Sequence, residues 1–348
     1  MNKLNPRQSE AVRYADGPML VLAGAGSGKT SVITRKIAYL IEQLGIPGRH
    51  IAAVTFTNKA AREMKERVGR IVDRKLTRGL IVSTFHNLGL NMIREEHTHL
   101  GYHPGFSIFD AEDAKALLQD LMLREASAEA GDELNDIQMT ISSWKNAMRG
   151  PAEALSKAAD EREQRIAIIY KKYNEYLKAY NAVDFDDLIL LPVMLFRSNP
   201  DVLAKWRRKI RYMLVDEYQD TNVCQYELVK QLVAERAAFT VVGDDDQSIY
   251  AWRGARPENL AQLKDDFPSL KIVKLEQNYR STSRILRCAN TVIANNPHVF
   301  EKALWSDHTV GDEIRIIRCR NEDAETERVA TDILDQKLKN GLDFKEFA

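Results

Sequence analysis

Cysteine is scarce in this sequence of 348 residues, with three occurrences at positions 224, 288 and 319. Because they are odd in number, far apart and without paired spacing, they predict neither a disulfide framework nor a zinc site. The apolar run at residues 19–23 is far too short to cross a bilayer, and the first residues carry no apolar signal core. We therefore expect a cytoplasmic protein that makes no membrane contact.

An excess of charge is also absent, since 50 Lys and Arg balance 50 Asp and Glu. A net charge of zero argues against a surface that is basic throughout, and it leaves local basic patches open. Hydrophobic residues make up 44% of the chain, which is enough for packed cores and excludes a disordered or collagen-like protein. The length predicts about two domains.

Short apolar runs mark six predicted strands, at residues 19–23, 51–56, 80–82, 212–215, 239–242 and 271–273. Continuous apolar runs of this length are typical of strands buried on both faces. Helical patterns at about 5–15, 29–44 and 58–74 precede or separate the first three runs, and Asn5 with Pro6 predicts the start of the first helix. This alternation predicts an α/β fold with a parallel sheet.

Two further regions interrupt and extend the alternation. Between about 85 and 206 the patterns are helical almost throughout, which predicts a helical insertion of ordinary domain size. After residue 279 we expect a helix at 283–296, a strand at 314–317 and a helix at 324–340, the beginning of another α/β domain. Residues 344–348 carry no terminating signal, so we expect the chain to break off at the entry to a further strand.

A glycine-rich turn joins the first predicted strand to the next helix. It consists of Ala23, Gly24, Ala25, Gly26, Ser27, Gly28, Lys29 and Thr30. Glycines let successive backbone N–H groups turn towards a phosphate, the lysine can reach the β- and γ-phosphate oxygens, and the threonine can ligate Mg²⁺. The alternative is a turn that binds nothing, which the flanking strand and helix disfavour.

Two adjacent acids, Asp216 and Glu217, follow the predicted strand at 212–215. A nucleotidase needs a carboxylate that holds Mg²⁺ and a base that deprotonates the attacking water, and Asp216 and Glu217 are the respective candidates. Adjacent acids are common at strand ends, but together with the phosphate loop they predict nucleotide hydrolysis. A glutamate in this position disfavours a P-loop kinase.

Eight motifs follow one another along the whole chain. They are Gln8, the phosphate loop, TFTNKAA (55–61), STFH (83–86), DFDDL (184–188), DEYQD (216–220), GDDDQSIY (243–250) and QNYR (277–280). The set closely resembles the UvrD/Rep/PcrA group of superfamily 1 DNA helicases, and residues 216–222 and 295–302 are most similar to its Rep subgroup.

The resemblance implies a division of the chain. Residues 1–84 and 207–278 would form a P-loop RecA-like motor domain with a parallel sheet, and residues 85–206 a large helical inserted domain. Residues 279–348 would be the truncated beginning of a second RecA-like domain. The chain is then expected to be an N-terminal fragment that lacks the later helicase motifs.

The resemblance also implies the contacts with the expected cofactors, ATP and Mg²⁺. Gln8 would read the adenine edge and Tyr279 would stack on the base, while Gln247 and Arg280 would contact the γ-phosphate. With Lys29 and Glu217, the last two complete the expected catalytic set.

The chain departs from the family pattern at two positions. Ala23 replaces the first glycine of the phosphate loop, and Ser31 stands where the family commonly has an arginine that packs on adenine.

Single-stranded DNA and duplex junctions are the partners that the resemblance implies. The expected DNA contacts are Phe56, Thr57, Asn58, His86, Phe185, Tyr250, Trp252 and Arg253. Aromatic platforms and phosphate contacts suit a motor that steps along any sequence. Taken singly, most aromatic residues near strand ends belong to a core, and Trp252, in a polar turn, is the hardest to explain as packing.

Two segments carry local basic charge. Residues 49–78 contain nine Lys or Arg and three acidic residues, a net charge of +6, and residues 197–211 have a net charge of +5. A charge run is usually a solvated helix face, and that alternative stays open for 197–211. For 49–78 the enclosed motif at 55–61 favours contact with DNA.

Together these features predict an ATP-dependent single-stranded DNA translocase and helicase. The resemblance implies 3′–5′ polarity, work at replication forks and contact with replication proteins. Two alternatives stay open: a DNA-binding module that ATP merely switches, and the motor part of a helicase–nuclease. The oligomeric state is left open.

Overall fold

The computed structural model describes residues 4–124, 132–296 and 300–347. Its strands are β1 (Met19–Ala23), β2 (Ile51–Thr55), β3 (Ile81–Thr84), β4 (Ser107–Phe109), β5 (Ala182–Asp184), β6 (Tyr212–Val215), β7 (Phe239–Gly243) and β8 (Lys271–Leu275). Its helices are α1 (Pro6–Arg13), α2 (Lys29–Glu42), α3 (Asn58–Gly69), α4 (Phe85–Glu96), α5 (Ala111–Arg124), α6 (Asp132–Asn146), α7 (Pro151–Ser156), α8 (Glu161–Ala179), α9 (Asp187–Ser198), α10 (Pro200–Lys209), α11 (Val223–Val233), α12 (Glu258–Asp266), α13 (Ser283–Ile293) and α14 (Glu322–Asn340).

Six of these strands form one parallel sheet in the order β3-β2-β6-β7-β1-β8. β1 lies between β7 and β8, with Leu20 paired to Val241 on one side and to Ile272 on the other. The six predicted strands are confirmed, and their ends lie within two residues of the expected positions. The predicted α/β class with a parallel sheet is therefore confirmed.

Alternate residues of the strands supply separate cores on the two faces of the sheet. Leu20, Val54 and Val215 pack with α4, α9, α10 and α11 on one face. Val21 and Leu214 pack with α1, α2 and α3 on the other. Because successive strand residues point to opposite faces, one unbroken apolar run serves both cores.

The region between β3 and β6 has two kinds of packing. Phe85 of α4 and Trp206 of α10 belong to the sheet core, whereas Leu118, Ile137 and Tyr170 of α5, α6 and α8 form a separate core. β4 and β5 pair in parallel beside that second core. The helical patterns did not predict this pair, because strands of three residues leave too little periodicity to detect.

The predicted strand at 314–317 is wrong. These residues have no regular secondary structure, and Ile314 and Ile316 are 51% and 84% exposed. An isolated strand leaves its backbone groups unpaired, and no described strand lies beside this segment to pair with it. The helices predicted on either side are confirmed as α13 and α14.

None of the described helices combines the length and the apolar content that crossing a bilayer requires.

Candidate nucleotide and nucleic-acid site

The predicted nucleotide residues meet at the carboxyl edge of the sheet. The phosphate loop follows β1, Asp216 and Glu217 follow β6, and the segment with Gln247 follows β7. Since β1, β7 and β6 are consecutive neighbours in the sheet, parallel pairing places all three strand ends on one edge. Ligands of open α/β sheets bind outside this edge.

The phosphate loop is a tight turn with left-handed backbone at Gly26 (φ +68°) and Gly28 (φ +89°). Ser27 closes the turn, because its N–H and its hydroxyl both donate to the Gly24 carbonyl, at 3.2 and 2.7 Å. Gly28 is the N-cap of α2, and no side chain caps the first N–H groups of that helix. These N–H groups and the positive end of the helix dipole can bind an anion.

A second segment, residues 278–280, holds the loop from outside. The Asn278 amide donates to the Ala25 carbonyl at 2.6 Å, and the Tyr279 N–H donates to the Gly26 carbonyl at 2.9 Å. A β-carbon added to Gly26 would lie 2.8 Å from Cβ of Arg280. The exposed Arg280 side chain therefore starts directly beside the turn that would hold phosphate.

Gln8 and Tyr279 contact adjacent residues of the loop, Ser27 and Gly26. Both also form hydrogen bonds with Asn5. Gln8 forms a capping box with Asn5, and its Nε2 donates to the Ser27 carbonyl at 2.9 Å. The Tyr279 hydroxyl accepts from Asn5 Nδ2 at 2.7 Å. Each Gln8 amide atom keeps one unused donor or acceptor position, and the Tyr279 ring is 47% exposed. Both side chains can thus contact a base placed beside the loop.

Lys29 joins the three strand ends directly. Its Nζ lies 2.9 Å from Glu217 Oε2 and 3.4 Å from Gln247 Oε1. Glu217 has left-handed backbone (φ +50°), which is uncommon for a residue with a β-carbon and marks local strain. Lys29 therefore contacts both of the other predicted catalytic side chains, Glu217 and Gln247.

Asp216 and Thr30 have the chemistry to hold a divalent cation. Asp216 is 6% exposed, and burial, followed by the neighbouring Glu217 carboxylate, raises its pKa to about 7 against the opposing effect of Lys29. A buried carboxylate with uncompensated negative charge fits a bound cation. Carboxylate and hydroxyl oxygens suit Mg²⁺.

Gln219 belongs to the DEYQD motif, but no role is predicted for it from the sequence. Its Nε2 donates to Glu217 Oε2 at 3.1 Å, and its Oε1 accepts from the Asp244 N–H at 3.0 Å. It therefore links the candidate base to the segment that carries Gln247. Its membership of the motif is the only sequence signal for this residue, because its contacts link the segment after β6 to the segment after β7.

Five of the predicted DNA residues cluster where β2 and β3 end. Phe56 and Phe85 make an edge contact with ring centroids 5.8 Å apart, and His86 and Phe185 make another at 6.3 Å. Phe185 is 49% exposed. Burial lowers the pKa of His86, which favours its neutral form. Phe185 is therefore the exposed ring of this group, whereas Phe85 is buried in the core of the sheet and Phe56 packs against that core.

Polar partners fix the two remaining residues of this cluster. The Thr57 hydroxyl caps α3 by accepting from the Ala60 N–H at 3.1 Å. Asn58 Oδ1 accepts from Asn87 Nδ2 at 3.0 Å. Both side chains are exposed at the start of α3 and keep further polar atoms that can reach a phosphate.

The other predicted DNA residues lie in the turn after β7. Trp252 is 75% exposed and Tyr250 is 37% exposed, so neither has the burial of a core residue. The Arg256 N–H, just after the turn, donates to the Thr221 carbonyl at 2.9 Å, which attaches the turn to the segment after β6. The backbone of Arg253 ends a short 3₁₀ turn, and its side chain is outside the part of the chain that the structure describes.

The two basic segments do not form one DNA-facing surface. Arg49 and Arg211 precede β2 and β6, and the Arg211 N–H donates to the His50 carbonyl at 2.8 Å. Strand direction places these residues at the amino edge of the sheet, opposite the phosphate loop. Lys59 at the start of α3, by contrast, lies at the carboxyl edge. Because α3 runs from the carboxyl edge towards the amino edge, the basic residues of 49–78 are spread between the two edges, and their contact with DNA stays a prediction.

Comparisons with known proteins agree with this arrangement. Residues 4–268 match the UvrD/REP helicase N-terminal domain, and residues 273–348 match the UvrD-like helicase C-terminal domain. The ATP-dependent DNA helicase Rep of Escherichia coli (strain K12) is 56% identical over 347 residues, which cover 99% of this chain and 51% of that protein. The ATP-dependent DNA helicase PcrA of Staphylococcus aureus (strain NCTC 8325 / PS 47) is 41% identical over 348 residues, 100% of this chain and 47% of that protein. The chain spans about half the length of the curated relatives it matches, and it belongs to the UvrD/REP helicase family.

Proposed function

We propose that this chain supplies the ATP site and part of the DNA track of an ATP-dependent DNA helicase. The observation that carries the proposal is the contact of Lys29 with both Glu217 and Gln247, which joins three neighbouring strand ends. The motor domain would comprise residues 1–84 and 207–278, with a helical insertion at 85–206 and the beginning of a second domain at 279–348. A cytoplasmic location agrees with the three free cysteines.

The geometry supports a sequence of events at the phosphate loop. The Lys29 ammonium pairs with Glu217. A γ-phosphate in the loop would draw Lys29 towards its oxygens, which leaves the Glu217 carboxylate free to accept a proton from the attacking water. Gln247 contacts Lys29, so a movement of Lys29 would also shift Gln247 and the turn after it, which carries Trp252.

Mg²⁺, when bound, would offset phosphate charge between Thr30 and Asp216. The chain's own part is to hold that position with oxygen ligands.

We predict that the affinity for a divalent cation rises with pH. Since burial raises the pKa of Asp216 to about 7, its carboxyl is mostly protonated at pH 6 and must lose the proton before it can bind a metal. The affinity should therefore fall about tenfold from pH 8 to pH 6. Titration of Mn²⁺ followed by electron paramagnetic resonance at pH 6, 7 and 8 measures this. Asp216→Asn should bind more weakly and lose the pH dependence, whereas the same slope in this variant would assign it to another group.

The DNA track would run along the carboxyl edge, over Phe185 with His86 and over Trp252. We predict that Phe185→Ala and Trp252→Ala each weaken binding of a labelled oligothymidine by about 1–3 kcal/mol, the contribution of one stacked base. Fluorescence anisotropy at a fixed salt concentration measures this. Leu44→Ala is the matched control, because Leu44 is also exposed and apolar but follows α2 at the opposite edge. Equal losses in all three variants would contradict an aromatic track.

We infer 3′–5′ movement and a role at replication forks, with replication proteins as partners, from the sequence likeness to the Rep proteins. Strand displacement by the full native chain on duplexes with a 3′ or a 5′ single-stranded tail tests the polarity. Preference for the 5′ tail would refute it.

A further inference from the structure

The carboxylates of Asp244, Asp245 and Asp246 share one lysine. Lys302 Nζ lies 2.6 Å from Asp244 Oδ1, 2.6 Å from Asp245 Oδ1 and 2.7 Å from Asp246 Oδ2. An ammonium has three N–H donors, so each carboxylate can receive one. The Lys302 side chain is 5% exposed, which places this cluster out of bulk water.

The three carboxylates depend on this cation. One carboxylate oxygen from each of the three residues lies within 4.8 Å of the others. At this separation like charges repel strongly when they are shielded from water. Burial by itself lowers the pKa of Lys302, but the hydrogen bonds that it donates to the three carboxylates outweigh burial, and the pKa is raised overall. Lys302 is a cation that all three carboxylates share, so its removal increases the repulsion within the cluster.

Asp244 transmits its position to the proposed reaction site by two routes. Its carboxylate accepts a hydrogen bond from Gln247 Nε2, and Gln247 Oε1 lies 3.4 Å from Lys29 Nζ. Its backbone N–H donates to Gln219, which in turn donates to Glu217 Oε2 at 3.1 Å. A displacement of Asp244 therefore moves both neighbours of the Lys29–Glu217 pair.

The segment that carries Lys302 also contacts the phosphate loop. A β-carbon on Gly24 would lie 2.3 Å from Leu304 Cδ2, so Leu304 packs directly against the loop. The Asn278 N–H donates to the Trp305 carbonyl at 2.7 Å, and Asn278 holds the loop through the Ala25 carbonyl. Residues 300–305, which we call the crossing segment, thus touch two of the three elements that form the site.

We propose that Lys302 is a positioning residue for ATP hydrolysis, which holds Asp244 so that Gln247 and Gln219 keep the Lys29–Glu217 pair in its reactive arrangement. The inference rests on the proposed function, namely that this site hydrolyses ATP. Because Lys302 touches neither Lys29 nor Glu217, its loss acts on the geometry of the reacting groups and leaves the phosphate loop itself in place. The proposal also makes hydrolysis depend on the docking of the crossing segment.

The test uses the full native chain with the variants Lys302→Met and Lys302→Arg. We expect Lys302→Met to lower kcat for DNA-stimulated ATP hydrolysis about tenfold to a hundredfold, the scale on which misplaced groups cost rate. The Kd for a fluorescent ATP analogue should change less than threefold. Lys302→Arg keeps the charge but not the three-donor geometry, and its kcat should lie between that of the wild type and that of Lys302→Met.

Two further variants separate positioning from a general structural effect. Lys274→Met removes another lysine that holds the crossing segment, through the Glu301 carbonyl at 2.5 Å, but it leaves the three carboxylates alone, so kcat should stay within twofold. The combined variant Lys302→Met, Asp245→Asn, Asp246→Asn removes two of the three negative charges together with the cation. Its log kcat should recover by at least a third of the decrease seen in Lys302→Met. That rescue would not follow if Lys302 merely tied two segments together.

The outcomes discriminate between the inference and the function on which it rests. Wild-type protein without Lys29-dependent hydrolysis would overturn the proposed function. Normal hydrolysis by wild-type protein and an equal kcat in Lys302→Met and Lys274→Met would overturn only the role of Lys302. If Lys302→Met does not fold, as judged by circular dichroism, Lys302→Arg decides: a wild-type kcat there refutes the proposal, and a reduced kcat with unchanged Kd supports it.

Discussion

Glu217→Gln is expected to lower DNA-stimulated ATP turnover by the full native chain about 10²–10⁴-fold, the contribution typical of a positioned general base. The amide has almost the shape of the carboxylate but cannot take a proton from water. Nucleotide binding should persist, because the phosphate loop and Lys29 are unchanged and Lys29 is no longer held by an ion pair. Single-turnover hydrolysis and equilibrium binding of a fluorescent ATP analogue measure the two effects separately.

Glu227→Gln is the matched control for this variant. Glu227 lies on α11, and its Oε1 is 3.0 Å from Arg197 Nη2, so the same substitution breaks an ion pair away from the nucleotide site. Its turnover should stay within about twofold of wild type, because an exposed ion pair contributes at most about 1 kcal/mol. Near-normal turnover in Glu217→Gln would remove Glu217 from the role of base and favour a module that ATP merely switches.

The sheet and the phosphate loop were predictable because their signals are local. A run such as residues 19–23 shows its burial through five consecutive apolar residues, and the loop after it shows its conformation through glycines at the positions that need positive φ. Each signal lies within ten residues. The motifs also placed the two acids at the end of another predicted strand, but they did not predict the order of strands in the sheet.

Long-range charge pairing was not predictable in this way. Lys302 and Asp244 are 58 positions apart and Lys145 and Asp184 are 39 apart, and nothing in their local patterns marks them as partners. The strand expected at 314–317 failed for a related reason, because an apolar run gives the propensity for a strand but not the neighbour that must pair with it. The basic segments likewise indicated charge but not which edge of the sheet would carry it.

The division of the chain at residues 85 and 206 remains a proposal, and the packing favours moving both limits inwards. α4 and α10 contribute Phe85 and Trp206 to the core of the sheet, so they belong physically to the motor domain. The separate core begins after α4 and includes Tyr170 and Ala182. On this view the insertion is smaller than the helical pattern suggests, because helices that flank it already cover the sheet.

A buried network connects that insertion to the nucleotide site. Asn146, at the end of α6, donates to Asp186 Oδ1 at 2.9 Å and accepts from Asn222 Nδ2 at 2.6 Å. Asn222 is the N-cap of α11, a few residues after Glu217. Phe185, the exposed aromatic residue of the proposed DNA track, lies next to Asp186. The arrangement offers a short physical path between the two proposed binding sites.

Lys145 stabilises a group of buried acids next to this network. Its Nζ lies 2.7 Å from Asp184 Oδ2 and 2.8 Å from Asp187 Oδ1, and its side chain is fully buried. Burial alone lowers the pKa of Lys145, but the two carboxylates outweigh it and raise the pKa overall. The Tyr173 hydroxyl donates to Asp184 at 3.0 Å. The lysine therefore stays protonated and compensates two acids that water does not reach.

Lys145→Met should lower the free energy of unfolding by about 3–5 kcal/mol, the cost of leaving a buried charge without its partner. The effect should also depend on pH. Burial, followed by the Asp184 carboxylate, raises the pKa of Asp187 to about 7 against the effect of Lys145, so removing the lysine raises it further. The folded variant then binds more protons than the unfolded chain, and its stability should recover as the pH falls from 8 to 6.

Urea unfolding followed by circular dichroism at pH 6, 7 and 8 measures both effects. Lys157→Met is the matched control, because Lys157 pairs with Glu153 at 2.6 Å on the surface, where solvent screens the charges, and its loss should leave the free energy of unfolding nearly unchanged. Lys145→Met combined with Asp184→Asn and Asp187→Asn should regain part of the lost stability, because the uncompensated charge leaves with the cation. A loss below 1 kcal/mol in Lys145→Met, independent of pH, would show that water or a rearranged side chain compensates the acids.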